Sequence, residues 1–538
     1  QIKKGNNMAA KSNLVNLDAM IKRADFAHKQ DENSSFETFN SIPARELASG
    51  SPIVALLRKP DFQRETNHWT PDQVVSLLDC YINGDLIPSV ILWMSPSFLF
   101  VIDGGHRLSV IRAWMEDDYG DGQISHKLFG HDISSEQRKA AEKTRKMVKE
   151  KIGAWSYYQS LLKDNDNDND NDNDDITPEQ RKKLSTLTAR GLPVQWVKGD
   201  ADKAETSFFN INMKGTPLDS LEELLLRNRK RPVPIAARAI IRAGKGHRYW
   251  SLFAKEKTEI IEDKSLKLHR LLFDPEIKKP IKTLDLPLSG SKGIRTAIQI
   301  LIDFILIANA SQQNGVMELD KYPEDLSGEG TLNVLKKTIT LASRITGNDR
   351  GSLGLHPAIY FYGPTGRHSS AMFLGVVTLF SEKLIQKNKS FFTRFTNVRS
   401  ELENILISNK ELVATILQKH ISHKRANIFK NLLEKIVDKL NDGKEITQND
   451  LIVFSQLDGK LISGDVQSGS SKISDEQKSK LFISIALNNA LTCPICNGYL
   501  DVEKSVSYDH IQRVREGGVG SADNVQVTHP YCNQSIKQ

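Results

Sequence analysis

Three of the chain's four cysteines fall within residues 493–538, arranged as Cys493-Pro-Ile-Cys496 and His529-Pro-Tyr-Cys532, with a histidine opening the second pair. Two ligands separated by two residues share one tight turn, and four N/S ligands in two such pairs match the tetrahedral demand of zinc. No other pattern in the chain constrains the fold as strongly. A segment this short buries too little apolar surface to fold alone, so a metal staple has a thermodynamic role. Nothing else in the chain looks secreted, and the spacing therefore reads as a structural Cys3His zinc site rather than a disulfide framework.

Between the two pairs, residues 505–511 (Ser-Val-Ser-Tyr-Asp-His-Ile) alternate as a strand does, and residues 516–520 (Glu-Gly-Gly-Val-Gly) form a flexible loop. Residues 524–527 make a second short strand, and Cys532-Asn533-Gln534-Ser535-Ile536-Lys537 opens a final helix. In this order the residues resemble the HNH (ββα-metal) nuclease family, whose pattern runs C-x2-C, D-H, G-G, N and C-x2-C-N/H-x3-K. His529 stands where the pattern has a cysteine, a change that keeps a zinc ligand. The resemblance implies that His510 is the general base, a task suited to a side chain that titrates near neutrality. It further implies that Asp509 and Asn533 hold Mg2+ or Mn2+ through oxygen, and that Asn524 holds the loop orienting His510.

Residues 493–538 carry four basic side chains (Lys504, Arg513, Arg515, Lys537) against five acidic ones (Asp501, Glu503, Asp509, Glu516, Asp523). Phosphate contacts dominate nucleic-acid affinity, so the expected grip on a polyanion lies elsewhere in the chain. The net charge of +7 permits nucleic acid as a partner, and 39% hydrophobic content is ample for several cores. No apolar run approaches the roughly twenty residues that span a bilayer, and no signal peptide is evident. A reducing bacterial cytoplasm is the expected location, with no membrane partner. Residues 1–7, ahead of Met8, read as a tag remnant.

In the N-terminal half, Thr70-Pro71-Asp72-Gln73 starts a helix with threonine as cap and proline in its first turn. Residues 87–93 and 98–102 read as strands. The second strand ends at Asp103-Gly104-Gly105-His106-Arg107 and turns into a helix through Val110, Ile111 and Trp114. Backbone N–H groups and the helix dipole converge at such a turn, and Arg107 adds bidentate donors, so an anion fits there. The segment Phe62-Gln63-Arg64…Trp69, this turn, and Asn212-Met213-Lys214-Gly215-Thr216-Pro217-Leu218 occur in order. Together they resemble the N-terminal domain of the GmrSD and SspE type IV restriction enzymes, a relative of the ParB/sulfiredoxin-like fold. The family's turn usually reads D-G-Q-Q-R, or D-G-Q-H-R in the DndB-like group. Here Gly105 replaces the first glutamine, which bears on base preference and on hydrolysis. The resemblance implies binding and hydrolysis of a nucleoside triphosphate through Asp103, Gly104, Gly105, His106, Arg107, Gln63 and Arg64, coupled to cleavage of modified phage DNA.

The Asn-Asp alternation at 164–175 reads as a disordered insert, and residues 136–151 as an exposed helix. Residues 224–250 contain eight Arg/Lys and no acid. Arg227, Arg229, Lys230, Arg231, Arg238 and Arg242 are either a solvated helix face or a DNA backbone contact. Residues 290–450 are mostly helical by periodicity. Gly363-Pro364-Thr365-Gly366-Arg367 lacks the Walker spacing and lysine, and reads as an ordered loop.

The expected fold class is α+β multidomain, with a ParB/sulfiredoxin-like N-terminal domain at 8–290 and a helical domain at 291–457. A linker at 458–479 then leads to a zinc-stapled ββα-metal nuclease at 480–538. Two functions fit. One is a nucleotide-regulated, metal-dependent endonuclease of antiphage defence acting on double-stranded DNA, with a homo-oligomer compatible with that reading. The other is a DNA-binding sensor or regulator whose nuclease chemistry is vestigial.

Overall fold

The computed structural model describes residues 14–24, 26, 38–60, 63, 66, 69–129, 133–165, 177–214, 220–245, 250, 253–290, 294–313, 315–458 and 473–537. The stretch 1–7, Arg64, Phe62, residues 215–218, most of the Asn-Asp tract and residues 459–472 of the expected linker lie outside them. By contacts the chain divides into two units, 1–229 with 245–249 and 230–244 with 250–538.

The first unit is organised by strands β1 (Arg23–Ala24), β2 (Ser41–Pro43), β3 (Leu57–Pro60), β4 (Val90–Met94), β5 (Leu99–Asp103) and β6 (Gly191–Val197). They form one mixed sheet in the order β1-β3-β5-β4-β6-β2. Central β5 runs parallel to β3 and antiparallel to β4. Its sequence, Leu-Phe-Val-Ile-Asp, is apolar until its last residue because both faces are covered. Leu99 and Val101 enter a core with Val74 and Leu78, while Phe100 and Ile102 enter a second with Phe26, Trp93 and Phe208. A run of residues alternating between two buried faces leaves Asp103, at the strand's end, as its first polar side chain. β4 begins at Val90, three residues later than the alternation at 87–93 predicts, and Pro88, which has no N–H to give a ladder, precedes it.

Helix Pro71–Asn83 forms as its cap sequence predicts. The Thr70 and Gln73 side chains exchange hydrogen bonds with each other's backbone N–H, and Gly84 closes the helix at φ +82°. Helix Ser135–Lys151 is less exposed than its charge implies: Ala140, Ala141, Thr144 and Val148 form a buried stripe.

In the second unit, helix Pro232–Ile241 is apolar on nearly every side, with Val233, Ile235, Ala236, Ala237, Ala239 and Ile240 all buried. A helix of that kind needs neighbours all round. It finds them in helices Lys255–Phe273, Ile294–Ala308 and Glu329–Ile345. Residues 230–244 and 250–290, which the sequence grouping attaches to the N-terminal domain, therefore cluster with the helices that follow.

The linker boundary differs as well. Ser474 and Gln477 form a reciprocal capping box that starts helix Asp475–Asn488 inside the expected tether. Ser479 of that helix is buried and accepts a hydrogen bond from the Ile281 backbone N–H at 2.9 Å. After it come β7 (Ser507–His510) and β8 (Val525–Thr528), an antiparallel pair in register Ser507↔Thr528 to His510↔Val525. The described chain ends in one helical turn, Cys532–Ile536. Among the described residues, no helix is long and apolar enough to cross a membrane.

Candidate functional site

The four residues of the predicted metal site meet as their spacing predicts. The ligand atoms of Cys493, Cys496, His529 and Cys532 all lie within 4.8 Å of one another. Tetrahedral zinc with thiolate bonds has ligand–ligand edges of about 3.8 Å, so the cluster can hold a metal such as zinc. His529 Nδ1 faces Cys496 Sγ at 3.4 Å and Cys532 Sγ at 3.9 Å. Its Nε2 meets the Tyr499 carbonyl at 2.9 Å, which places the ring proton on Nε2 and leaves Nδ1 as the ligand atom. Hydrogen bonding from Cys496 and Cys532 pulls the Cys493 thiol far below its usual range, while the same crowding drives Cys532 up. Three thiols in mutual contact cannot all ionise unaided, and a divalent cation relieves that conflict.

The brace behind this centre comes from far upstream and has no sequence motif. Arg399, at 0% side-chain exposure, bonds through Nε to Glu403 Oε1 at 2.7 Å, itself at 0%. Its Nη2 reaches the Gly354 carbonyl at 2.9 Å and the Tyr499 carbonyl at 3.4 Å. Glu403 accepts from Tyr499 N–H at 2.7 Å and from the Tyr360 hydroxyl at 3.1 Å. Gly498 and Gly354 permit the fit. A Cβ on Gly498 would lie 2.7 Å from Arg399 Cδ, and one on Gly354 2.8 Å from Ser505 Cβ. Ser505 Oγ also donates to the Gly347 carbonyl at 3.0 Å, and Tyr531 N–H to that of Ser352 at 2.9 Å. The C-terminal segment is thus set into the helical unit rather than hung from it. The stretch at 354–367 is part of that seat, with residues 354–361 buried, and makes no phosphate loop.

Beside the metal centre lies an open cleft of about 360 Å³ lined by Asp509, His510, Arg513, Val514, Arg515, Asn533 and Lys537. Asp509 and His510 close β7, and Asn533 follows the last thiol. Asn533 Nδ2 donates to Ser507 Oγ at 2.7 Å and to the Tyr508 carbonyl at 3.2 Å, which leaves Oδ1 to serve as acceptor or ligand. Asp509 Oδ2 accepts from Gln526 Nε2 at 2.8 Å and from Lys537 Nζ at 2.7 Å. Asn524 lies outside the cleft lining. It accepts from Gln512 N–H at 2.7 Å and donates to the carbonyls of Val519 at 2.8 Å and Gln512 at 3.1 Å, bracing the loop that follows His510. Counting charges misjudges this segment: three of its four cationic side chains gather in the cleft around a single carboxylate, whereas Asp501 is buried apart from it.

In the first unit, the Asp103–Arg107 turn also forms. Gly104 sits at φ +88°, and a Cβ there would press on Val90 at 3.0 Å, so both conformation and space demand glycine. Arg107 Nη2 bonds to Asp103 Oδ2 at 2.7 Å and to the Ser89 carbonyl at 3.1 Å. The Gln63 amide lies 3.6 Å from where a Gly105 Cβ would be, and Gln63 Oε1 is buried with no described partner. His106 stacks on Trp69 with centroids 5.4 Å apart. The loop carrying Gln63 rests on a buried ion cluster that sequence reasoning missed. Asp18 Oδ1 accepts from Lys59 Nζ and from Arg23 Nη2, each at 2.7 Å, and Arg23 also reaches the Pro60 and Gln63 carbonyls. The lysine preceding Pro60 is the visible clue; its partners lie too far off in sequence to be read.

Among the described residues, the basic run makes no continuous exposed stripe. Arg229 is paired with Glu205 at 3.0 and 3.1 Å, and Arg231 and Arg238 are half-buried at the start and within a core helix. The run is moreover divided between the two units.

Residues 44–229 match the family described as GmrSD restriction endonuclease, N-terminal domain. The match covers strands β3 to β6 and the Asp103–Arg107 turn. No curated protein and no solved structure matches the chain.

Proposed function

We propose that this protein is a nucleotide-regulated, metal-dependent HNH endonuclease of antiphage defence that cleaves double-stranded, modified phage DNA in the manner of type IV restriction. The observation carrying this reading is the single cleft shared by Asp509, His510 and Asn533, next to a Cys3His cluster and on the same chain as a GmrSD-type domain. His510 is the general base that takes a proton from the attacking water. Asp509 and Asn533 are the oxygen donors for Mg2+ or Mn2+, and such an ion supplies charge stabilisation at the phosphate and the leaving oxygen. Gln526 and Lys537 orient the Asp509 carboxylate, and Asn524 fixes the loop that follows the base. Zinc at Cys493, Cys496, His529 and Cys532 holds the frame.

In the N-terminal domain, a ParB/sulfiredoxin-like reading makes the Gly104-Gly105 turn a triphosphate site, with Arg107 and Gln63 facing the ligand. Wild type cleaving phage DNA and His510→Ala failing to do so supports the reading; undiminished cleavage by His510→Ala sinks it. The second reading, a sensor with a vestigial nuclease, draws support from Asp509 Oδ2 already accepting from both Lys537 and Gln526. Phage protection that survives His510→Ala favours that reading.

A further inference from the structure

The loop after β7 is tied by internal hydrogen bonds although it contains three glycines. Gly518 N–H bonds to the Arg513 carbonyl at 3.0 Å, Gln512 Nε2 to that of Glu516 at 2.8 Å, and Asn524 clasps both ends. At Gly518 a Cβ would fall 1.9 Å from the Gln512 carbonyl oxygen, so the loop closes only around glycine. Arg513 ties the loop to the chain's last turn through the Lys537 carbonyl. The loop is therefore a braced shelf, and Arg513, Val514 and Arg515 line the cleft from it. Arg515 is 68% exposed, and its contact with Glu516 is loose at 3.9 Å. Ile511, Val514 and Val519 are exposed apolar side chains on the same loop.

Two guanidinium groups and an ammonium around one reactive carboxylate form an anion-attracting field, and guanidinium geometry suits phosphate oxygens. The apolar rim suits the sugar faces between phosphates better than a free phosphate in water. We propose that residues 512–519 are the C-terminal segment's own DNA-gripping element, with Arg513 and Arg515 holding backbone phosphates of a duplex against Asp509 and His510; this rests on the nuclease reading of the same cleft. The segment then needs no basic surface elsewhere to seat its substrate.

The test is fluorescence anisotropy of a labelled DNA duplex with the full-length His510→Ala chain across a salt series. Adding Arg515→Ala is expected to weaken binding roughly tenfold and flatten the salt dependence by about one phosphate contact. Arg515→Lys keeps the charge and most of the slope. The double change Arg513→Ala with Arg515→Ala goes further. Zinc content and the circular dichroism spectrum serve as folding controls. Unchanged affinity and slope in both alanine variants overturn the proposal. Cleavage by the wild-type chain is scored separately, so a protein that binds through Arg515 but cuts nothing defeats the nuclease reading and leaves the grip intact.

Discussion

Both candidate sites are built at the end of a strand, and in both a carboxylate leans on a cation at 2.7 Å, yet they are assembled from opposite resources. Asp103 takes its partner, Arg107, from the next turn of the same chain segment, and 37% of its side chain remains exposed. Asp509 takes Lys537 from the end of the helical turn that follows the ββ hairpin and adds Gln526 from the neighbouring strand, leaving 10% exposed. The first site is a local structure leaning on a distant buried brace, Asp18 with Lys59 and Arg23. The second is non-local throughout, and its brace, Arg399 with Glu403, lies at the root of the metal centre. A site made from one turn tolerates losing a contact; a site made from a strand pair, a metal knuckle and a helix fails as a whole.

The sharpest break between the two comes from His510→Ala, expected to reduce DNA cleavage roughly a thousandfold in a gel assay while triphosphate binding stays unchanged. Next in size is Arg399→Met, which strands Glu403 without its ion partner in a fully buried place. Such a loss costs about 3–5 kcal/mol, seen as a lower unfolding midpoint of the helical unit together with faster loss of zinc to a chelator. If zinc retention is untouched, the brace does not serve the metal centre.

Asp501 offers a pH test. Burial, with one carboxylate oxygen lacking a described partner, raises its pKa to about 6 from an ordinary 3.8. The unfolded chain therefore releases this proton first. The cost of charging Asp501 in place grows as pH climbs from roughly 4 to 6 and persists above that. Asp501→Asn is expected to stabilise the protein at neutral pH by on the order of 3 kcal/mol at most, and to do nothing near pH 4. A uniform shift across pH would refute that origin. Smallest is Arg107→Ala, expected to weaken triphosphate binding about tenfold by calorimetry, with little change in the unfolding midpoint. A large fall in stability there would mean that Arg107 is chiefly a strut.

What could be read beforehand tracks this division between local and distant. The metal pairs, the Thr70-Pro71 cap and the glycine turn after β5 are legible because each is written within a few consecutive residues. The Asp18–Lys59 pair, the Arg399–Glu403 brace and the meeting of Lys537 with Asp509 are not, because nothing in spacing or composition joins residues so far apart. The sign of the cleft escaped for a related reason: a sum of charges over residues 493–538 is blind to which of them face the same way. The Gly/Ser-rich composition likewise obscured the point where a capped helix resumes, at Asp475.

The glycines at 354 and 498 carry one more implication. Each leaves a gap filled by the opposite partner, Ser505 in one case and Arg399 in the other, so the last sixty-odd residues are keyed to their seat as a stone is to an arch. Cut out and grafted onto another protein, they would expose the faces of His529, Tyr499 and Ser505 to water and leave an ion pair open behind them. The C-terminal segment is therefore not portable: what can be inherited, exchanged or engineered as a piece is the helical unit with its edge already mounted.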